Sequence, residues 1–161
     1  MKTTKMNKVL IALDYDQSAQ KVAEAGFSMA MAMNAEVTLL HVLSNPVYYS
    51  STAYSPIMGF GSYSDIDLMQ LDIDDGLRKA SQDFLDETKK HLDSTSVETM
   101  VEEGDVAESI LLAAKKINAD LIVMGSHSRK WLEEVIMGSV TAKVLHHTAI
   151  PVYIIPVKNK N

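Results

Sequence analysis

Val123-Met-Gly-Ser-His-Ser-Arg-Lys-Trp-Leu-Glu-Glu-Val-Ile-Met-Gly-Ser-Val-Thr141 is the stretch on which the reading of this chain turns. An apolar strand end reaches Gly125, a polar loop follows, and Gly138-Ser139 opens a segment of helical character. That order supplies the parts of an anion site. A helix N-terminus leaves backbone N–H groups without partners and carries the positive end of the dipole, while glycine lets a backbone approach an oxyanion closely. A nucleotide phosphate is the anion such parts suit. Taken singly, Gly125 and Gly138 are only what an α/β turn and a helix entry require.

Working outward, Asp120 to Met124 reads as the strand before this loop, Ser139 to His147 as the helix after it, and Pro151 to Val157 as a last strand. Upstream, Val9-Leu-Ile-Ala-Leu13 is a short continuous apolar run, as expected of a strand buried on both faces of a parallel sheet, and Asp14 ends it. From Ser18 the apolar residues Val22, Gly26, Met29 and Met33 recur at helical spacing, with the methionines as packing residues. Glu36 to Val42 is a second strand, and Val97 to Val101 a third. Between them a long helix is predicted from Ile66, with Met69, Ile73, Leu77, Ala80 and Phe84 on one stripe. Gly104-Asp105 opens another helix, with Asp105 as its N-cap and Ile110, Leu111, Ala114 and Ile117 on its buried side.

The order is therefore β-α-β-α-β-α-β-α-β, which calls for a five-stranded parallel sheet with right-handed crossovers and helices on both faces. Ligands of such folds sit at the carboxyl ends of the strands, where the strand order reverses. Asp14, Val42 and Gly125 all fall at that edge.

With 161 residues and 47% of them hydrophobic, residues 1–161 are read as one domain. A net charge of −6 argues against nucleic acid, whose binding draws on basic surface. Cysteine is absent, which removes disulfides and thiolate metal sites. The basic start Met1 to Lys8 is followed by an apolar run too short for a signal peptide, and no run is long enough to span a membrane. A cytoplasmic protein is expected.

Other motifs yield less. Of the five histidines only His146 and His147 are adjacent, and helix neighbours diverge, so they read as a cap at a helix C-terminus and no protein-only metal site is assigned. His41 reads as a hydrogen-bonded core residue. Asp72-x-Asp74-Asp75-Gly76 lacks the glycine and glutamate positions of a calcium loop, and Gly59-Phe-Gly61 follows no predicted strand. The stretch 44–64 carries no charge and is rich in Tyr, Ser and Gly; leaving the second strand at its carboxyl end, it is expected to form a flap over the site or a partner surface. The apolar last strand would be an exposed edge unless paired.

The spacing Gly125-x2-Ser128-x9-Gly138-Ser139 resembles the nucleotide-binding signature of the universal stress protein (UspA) family, Gly-x2-Gly-x9-Gly-Ser/Thr. Ala12-Leu13-Asp14, Leu40-His41-Val42 and Glu103-Gly104-Asp105 resemble that family's first-strand end, second-strand end and entry to the third helix. The resemblance covers Lys8 to Pro156 apart from the insert. It implies a Rossmann-like fold of the adenine-nucleotide α-hydrolase-like type with strand order 3-2-1-4-5, ATP as ligand with Mg²⁺ carried on its phosphates, and a homodimer through Val152, Ile154 and Ile155. It further implies that Asp14 and the backbone of Ala12 and Leu13 approach adenine and ribose, that Val42 packs on the base, and that Met124 and Gly125 line the nucleoside. His127, Ser128 and Arg129 would surround the phosphates, with Gly138, Ser139 and Val140 at the helix start.

Ser128 stands where the signature has its second glycine, and a Cβ there disfavours positive φ by about 1 kcal/mol. Two readings follow. One is an ATP-binding homodimeric regulator of the stress response; the other is a relative with a degraded site that acts as a dimeric interaction protein. No catalytic residue is assigned, because His127 has no carboxylate near it in sequence to orient it. A P-loop and the signature loops of adenylyl-transfer enzymes are also absent, so a slow ATPase is the most that catalysis would amount to.

Overall fold

The computed structural model describes residues 5–44, 73–126 and 138–157. The elements are β1 (Lys8–Ala12), α1 (Ala19–Met33), β2 (Glu36–Leu43), α2 (Ile73–His91), β3 (Glu98–Glu103), α3 (Val106–Ile117), β4 (Leu121–Gly125), α4 (Ser139–His147) and β5 (Val152–Ile155). The strands form one sheet in the order β3-β2-β1-β4-β5, and all four pairings are parallel. This is the expected order, and it follows from right-handed crossovers that run one way from β1 to β3 and the other way from β4 to β5. The reversal lies between β1 and β4.

Alternation along the strands splits the core into two layers. Val9, Ile11, Val37, Leu39, Leu121 and Val123 face α1 and α2, meeting Val22, Ala23, Phe84 and Leu85. Leu10, Leu40, Val42, Ile122 and Met124 face α3 and α4, meeting Ile110, Ala113, Ala114 and Val144. Each such Val, Leu, Ile or Phe contributes about 1.5–3 kcal/mol by leaving water. Met29 and Met33 are half-buried against the first layer, as packing residues would be. Gly26 allows α1 to sit close: a Cβ there would lie 2.9 Å from Ile11 Cδ1 and 3.0 Å from Val123 Cγ1.

The helix ends obey local chemistry. The Asp105 carboxylate accepts the Glu108 N–H at 2.9 Å, capping α3 as expected. Both α1 and α3 stop at an asparagine in the left-handed region, Asn34 at φ 55° and Asn118 at φ 53°, a conformation asparagine tolerates better than most residues. His147 Nδ1 lies 2.8 Å from the Lys143 carbonyl, the C-terminal capping role expected in that turn.

Some boundaries differ from the sequence reading. β3 runs on through Glu102 and Glu103, because these pair with Val42 and Leu43 on an edge strand where one side is open to solvent. Its glutamates also discourage pairing with a further strand. β5 is shorter than expected, flanked by Pro151 and Pro156, which have no N–H to donate. The helix expected from Ile66 is present from Ile73; residues 66–72 and the insert at 44–64 beyond Ser44 lie outside the described residues.

On β5, Ile155 is 4% exposed and packs in the α1/α2 layer, so its side chain serves the core of its own chain. Tyr153, not singled out from the sequence, is 38% exposed, and Val152 and Ile154 are half-buried. No helix among the described residues is long and apolar enough to cross a membrane.

Candidate functional site

β4 delivers Gly125 to the carboxyl edge of the sheet beside the strand-order reversal. A Cβ at Gly125 would lie 3.1 Å from both Val22 Cγ2 and Val157 Cγ2, so close packing against α1 and the segment after β5 favours a glycine there. The next residue is fixed as well: the Ser126 N–H donates to the Ile155 carbonyl at 3.0 Å, and Ser126 Oγ accepts from the Val157 N–H at 3.1 Å.

α4 returns to the same place. Its N-cap is Gly138, in extended backbone at φ −67° and ψ 159°, so no side chain caps this end and its first turn holds no acidic residue. The first intrahelical bond runs from the Ala142 N–H to the Gly138 carbonyl at 3.0 Å. The N–H groups of Ser139 and Val140 therefore precede the intrahelical ladder at the positive end of the helix dipole. α3 presents the opposite case, because Asp105 closes its N-terminus with a carboxylate.

Beneath these groups, Ala12, Val42, Met124 and Val140 belong to one apolar cluster, the α3/α4 layer of the core. Four residues chosen from scattered points of the sequence thus meet on one side of the sheet. A cleft of about 610 Å³ lies between the carboxyl ends of β2 and β3 and the starts of α3 and α4, with Leu43, Gly104, Val106 and Lys143 among its walls; of the site residues chosen from the sequence, Ser139 and Val140 line it. That is roomy enough for a ligand of nucleotide size.

Asp14 sits on the exposed turn after β1, its Oδ1 accepting the Tyr15 N–H at 2.9 Å and its carbonyl accepting the Asp16 N–H at 3.0 Å. Leu13 behaves differently from its neighbours. Its side chain packs in the opposite, α1/α2 layer, its N–H donates to the Leu40 carbonyl at 2.8 Å, and its carbonyl accepts from the His41 imidazole at 2.9 Å. Its backbone is thus engaged within the sheet. His127, Ser128 and Arg129 lie outside the described residues.

Lys143 and Glu103 were not chosen from the sequence, yet both line the cleft. Lys143 Nζ lies 3.0 Å from Asp105 Oδ1 and 3.4 Å from Glu108 Oε1, and these bonds, that to Asp105 foremost, hold its ammonium above the usual lysine range. The Glu108 N–H and then Lys143 hold the Asp105 carboxyl below the usual aspartate range. Glu103 is paired with Arg78 at 3.2 Å. Lys143 could have been found: it lies four residues after Ser139, on the same helix face. Among the described residues, no cluster of His, Asp and Glu could hold a metal ion.

The universal stress protein family profile matches residues 5–156. Among curated relatives, the universal stress protein MJ0577 of Methanocaldococcus jannaschii is 25% identical over 155 residues, covering 94% of this chain and 96% of its own length. Universal stress protein YxiE of Bacillus subtilis is 29% identical over 151 residues, covering 92% and 98%. The solved structure of MJ0577 superposes with a TM-score of 0.69 at 23% identity over 98% of this chain and 100% of that one. A universal stress protein crystallised in complex with cAMP superposes with a TM-score of 0.59 at 20% identity, covering 94% of this chain and 98% of that one. The family match spans nearly the whole chain, and the strand order is the one its sequence resemblance implied: this chain belongs to the universal stress protein family.

Proposed function

We propose that this protein is a homodimeric regulator of the stress response that signals through occupancy by ATP, held at the carboxyl edge of its sheet. The observation that carries the reading is the uncapped start of α4, with its N–H groups poised beside Gly125 and above the cluster of Ala12, Val42, Met124 and Val140. In this reading the apolar cluster receives the base, Asp14 meets the ribose, and Gly138, Ser139 and Val140 receive phosphate oxygens together with His127, Ser128 and Arg129. Mg²⁺ would arrive on the ATP phosphates and touch Asp14 or Ser139. A cAMP complex of a structurally similar universal stress protein supports a nucleotide as the ligand class. No group is assigned to catalysis, and occupancy, with at most slow hydrolysis, is the signal. A cytoplasmic setting belongs to the same reading.

The test is to denature the purified protein and identify any released nucleotide by absorbance and mass. ATP with Mg²⁺ should also raise the Tm of nucleotide-free protein. A protein that carries none and shows no shift overturns the reading. That outcome favours the second one, a dimeric interaction protein, for which the engagement of Lys143 by Asp105 and Glu108 speaks, since it leaves that cation of the cleft already neutralised.

Dimerisation would use β5, which is an uncharged sheet edge, whereas the β3 edge carries Glu98, Glu102 and Glu103. Light scattering should give a dimer at micromolar concentration, and Tyr153→Lys, at an exposed edge position, should shift it to monomer. A monomeric wild-type protein rules this interface out.

A further inference from the structure

His41 fills a place in the sheet where a leucine would bring no ring nitrogen to be satisfied. It is 2% exposed, and its Nε2 is buried with no hydrogen-bond partner among the described residues. Its other nitrogen lies 2.9 Å from the Leu13 carbonyl. A carbonyl can only accept, so Nδ1 carries the proton and donates. Leaving Nε2 unmet costs stability, which makes the bond at Nδ1 the feature that needs a reason.

That bond acts one residue beyond β1, where the strand leaves the sheet. The Leu13 N–H is held by the Leu40 carbonyl at 2.8 Å and the Leu13 carbonyl by His41, so two consecutive residues of β2 grip both sides of Leu13. The gripped carbonyl belongs to the peptide that joins Leu13 to Asp14. Its orientation sets the plane from which the Asp14 side chain leaves. The ring itself is restrained by Phe84 of α2, edge-on with centroids 5.6 Å apart, and by Tyr15 at 6.3 Å.

We propose that His41 is a positioning residue of the nucleotide site: through the Leu13 carbonyl it fixes the turn that presents Asp14 to the ligand. The role in binding rests on the ATP reading above; the clamp on the turn does not. His41→Leu removes the donor and keeps apolar volume, whereas His41→Asn places an amide N–H close to where Nδ1 stood.

The experiment measures ATP affinity, Tm and amide spectra of the wild-type protein and both variants, with the tautomer of His41 read from its ring nitrogens. His41 should be protonated at Nδ1 and bare at Nε2 in the wild type. His41→Leu should stay folded, the loss of the unmet Nε2 offsetting the loss of the donor to Leu13, yet weaken ATP by about tenfold and move the Asp14 and Tyr15 amide resonances. His41→Asn should restore affinity to within about threefold of wild type even with a lower Tm. Wild-type affinity in folded His41→Leu overturns the proposal, and so does equal weakening in both variants. If the wild-type protein binds no ATP, the functional reading fails on its own. The clamp is then judged by the spectra: an Nε2–H tautomer in the wild type, or unmoved Asp14 and Tyr15 amides in His41→Leu, overturns it.

Discussion

Thr141 Oγ1 donates to the Gly125 carbonyl at 3.2 Å, tying the first turn of α4 to the end of β4. Thr141 is 2% exposed, while its neighbours Ser139 and Val140 line the cleft. It links the two glycine-marked ends of the candidate site across the residues between them.

Thr141→Val keeps the shape and removes the hydroxyl. The expected loss is about 1 kcal/mol, the net contribution of one intramolecular hydrogen bond, read from urea unfolding. An unchanged midpoint would show that the tie is not needed to hold α4 in place.

Gly26→Ala should be destabilising even though it improves helix propensity. The added carbon would meet Ile11 Cδ1 at 2.9 Å and Val123 Cγ1 at 3.0 Å, both in the packed layer under α1. Overpacking costs about 1–3 kcal/mol against a propensity gain of about 1 kcal/mol, so the Tm should fall. A rise in Tm would mean that α1 can lift off the sheet freely.

Burial pushes the His41 imidazole below its ordinary value of 6.5, outweighing the Leu13 hydrogen bond and the Asp14 charge, which pull it up. The folded state then binds fewer protons than the unfolded chain, so stability rises with pH. The contribution is complete above about 6.5 and is lost as pH falls below that towards the folded value. Glu24, held low first by its hydrogen bond from His91, and Asp105 act in a separate window below their ordinary values of 4.5 and 3.8. Thermal scans from about pH 7 to 5 should show a falling Tm in the wild type and a flatter profile in His41→Leu. Equal slopes would remove His41 as the source.

Ser128→Gly restores the family spacing at its one departure. If the loop needs positive φ at this position, ATP affinity should improve about fivefold, the equivalent of about 1 kcal/mol, by calorimetric titration. A weaker affinity would instead identify the serine hydroxyl as a phosphate donor.

Much of this architecture was legible in the chain itself. Continuous apolar runs such as Val9 to Leu13 alternating with helical stripes such as Val22, Gly26 and Met29 dictate a parallel sheet, because only strands covered on both faces read that way. Asp105 announced its cap through its position before an apolar stripe. The glycine spacing from Gly125 to Gly138 carried the family resemblance, and the family is the one the chain belongs to.

Other features depended on which residues the fold brings together. Whether Leu13 faces the cleft or the opposite layer turns on which side of the sheet it occupies one residue past β1. Lys143 entered the cleft walls because α4 packs beside the start of α3, a pairing of residues 38 apart in sequence. Ile155 reads as an interface residue in isolation and is a core residue once the sheet and helices pack around it. His41 could be read as buried, but not as a donor to Leu13, 28 residues away. Local periodicity and turn chemistry are written in neighbouring residues, so the sequence determined the elements, their order and the glycine-marked edge. Burial, ion pairing and hydrogen bonding between distant residues depend on how those elements pack, and only the tertiary structure decided them.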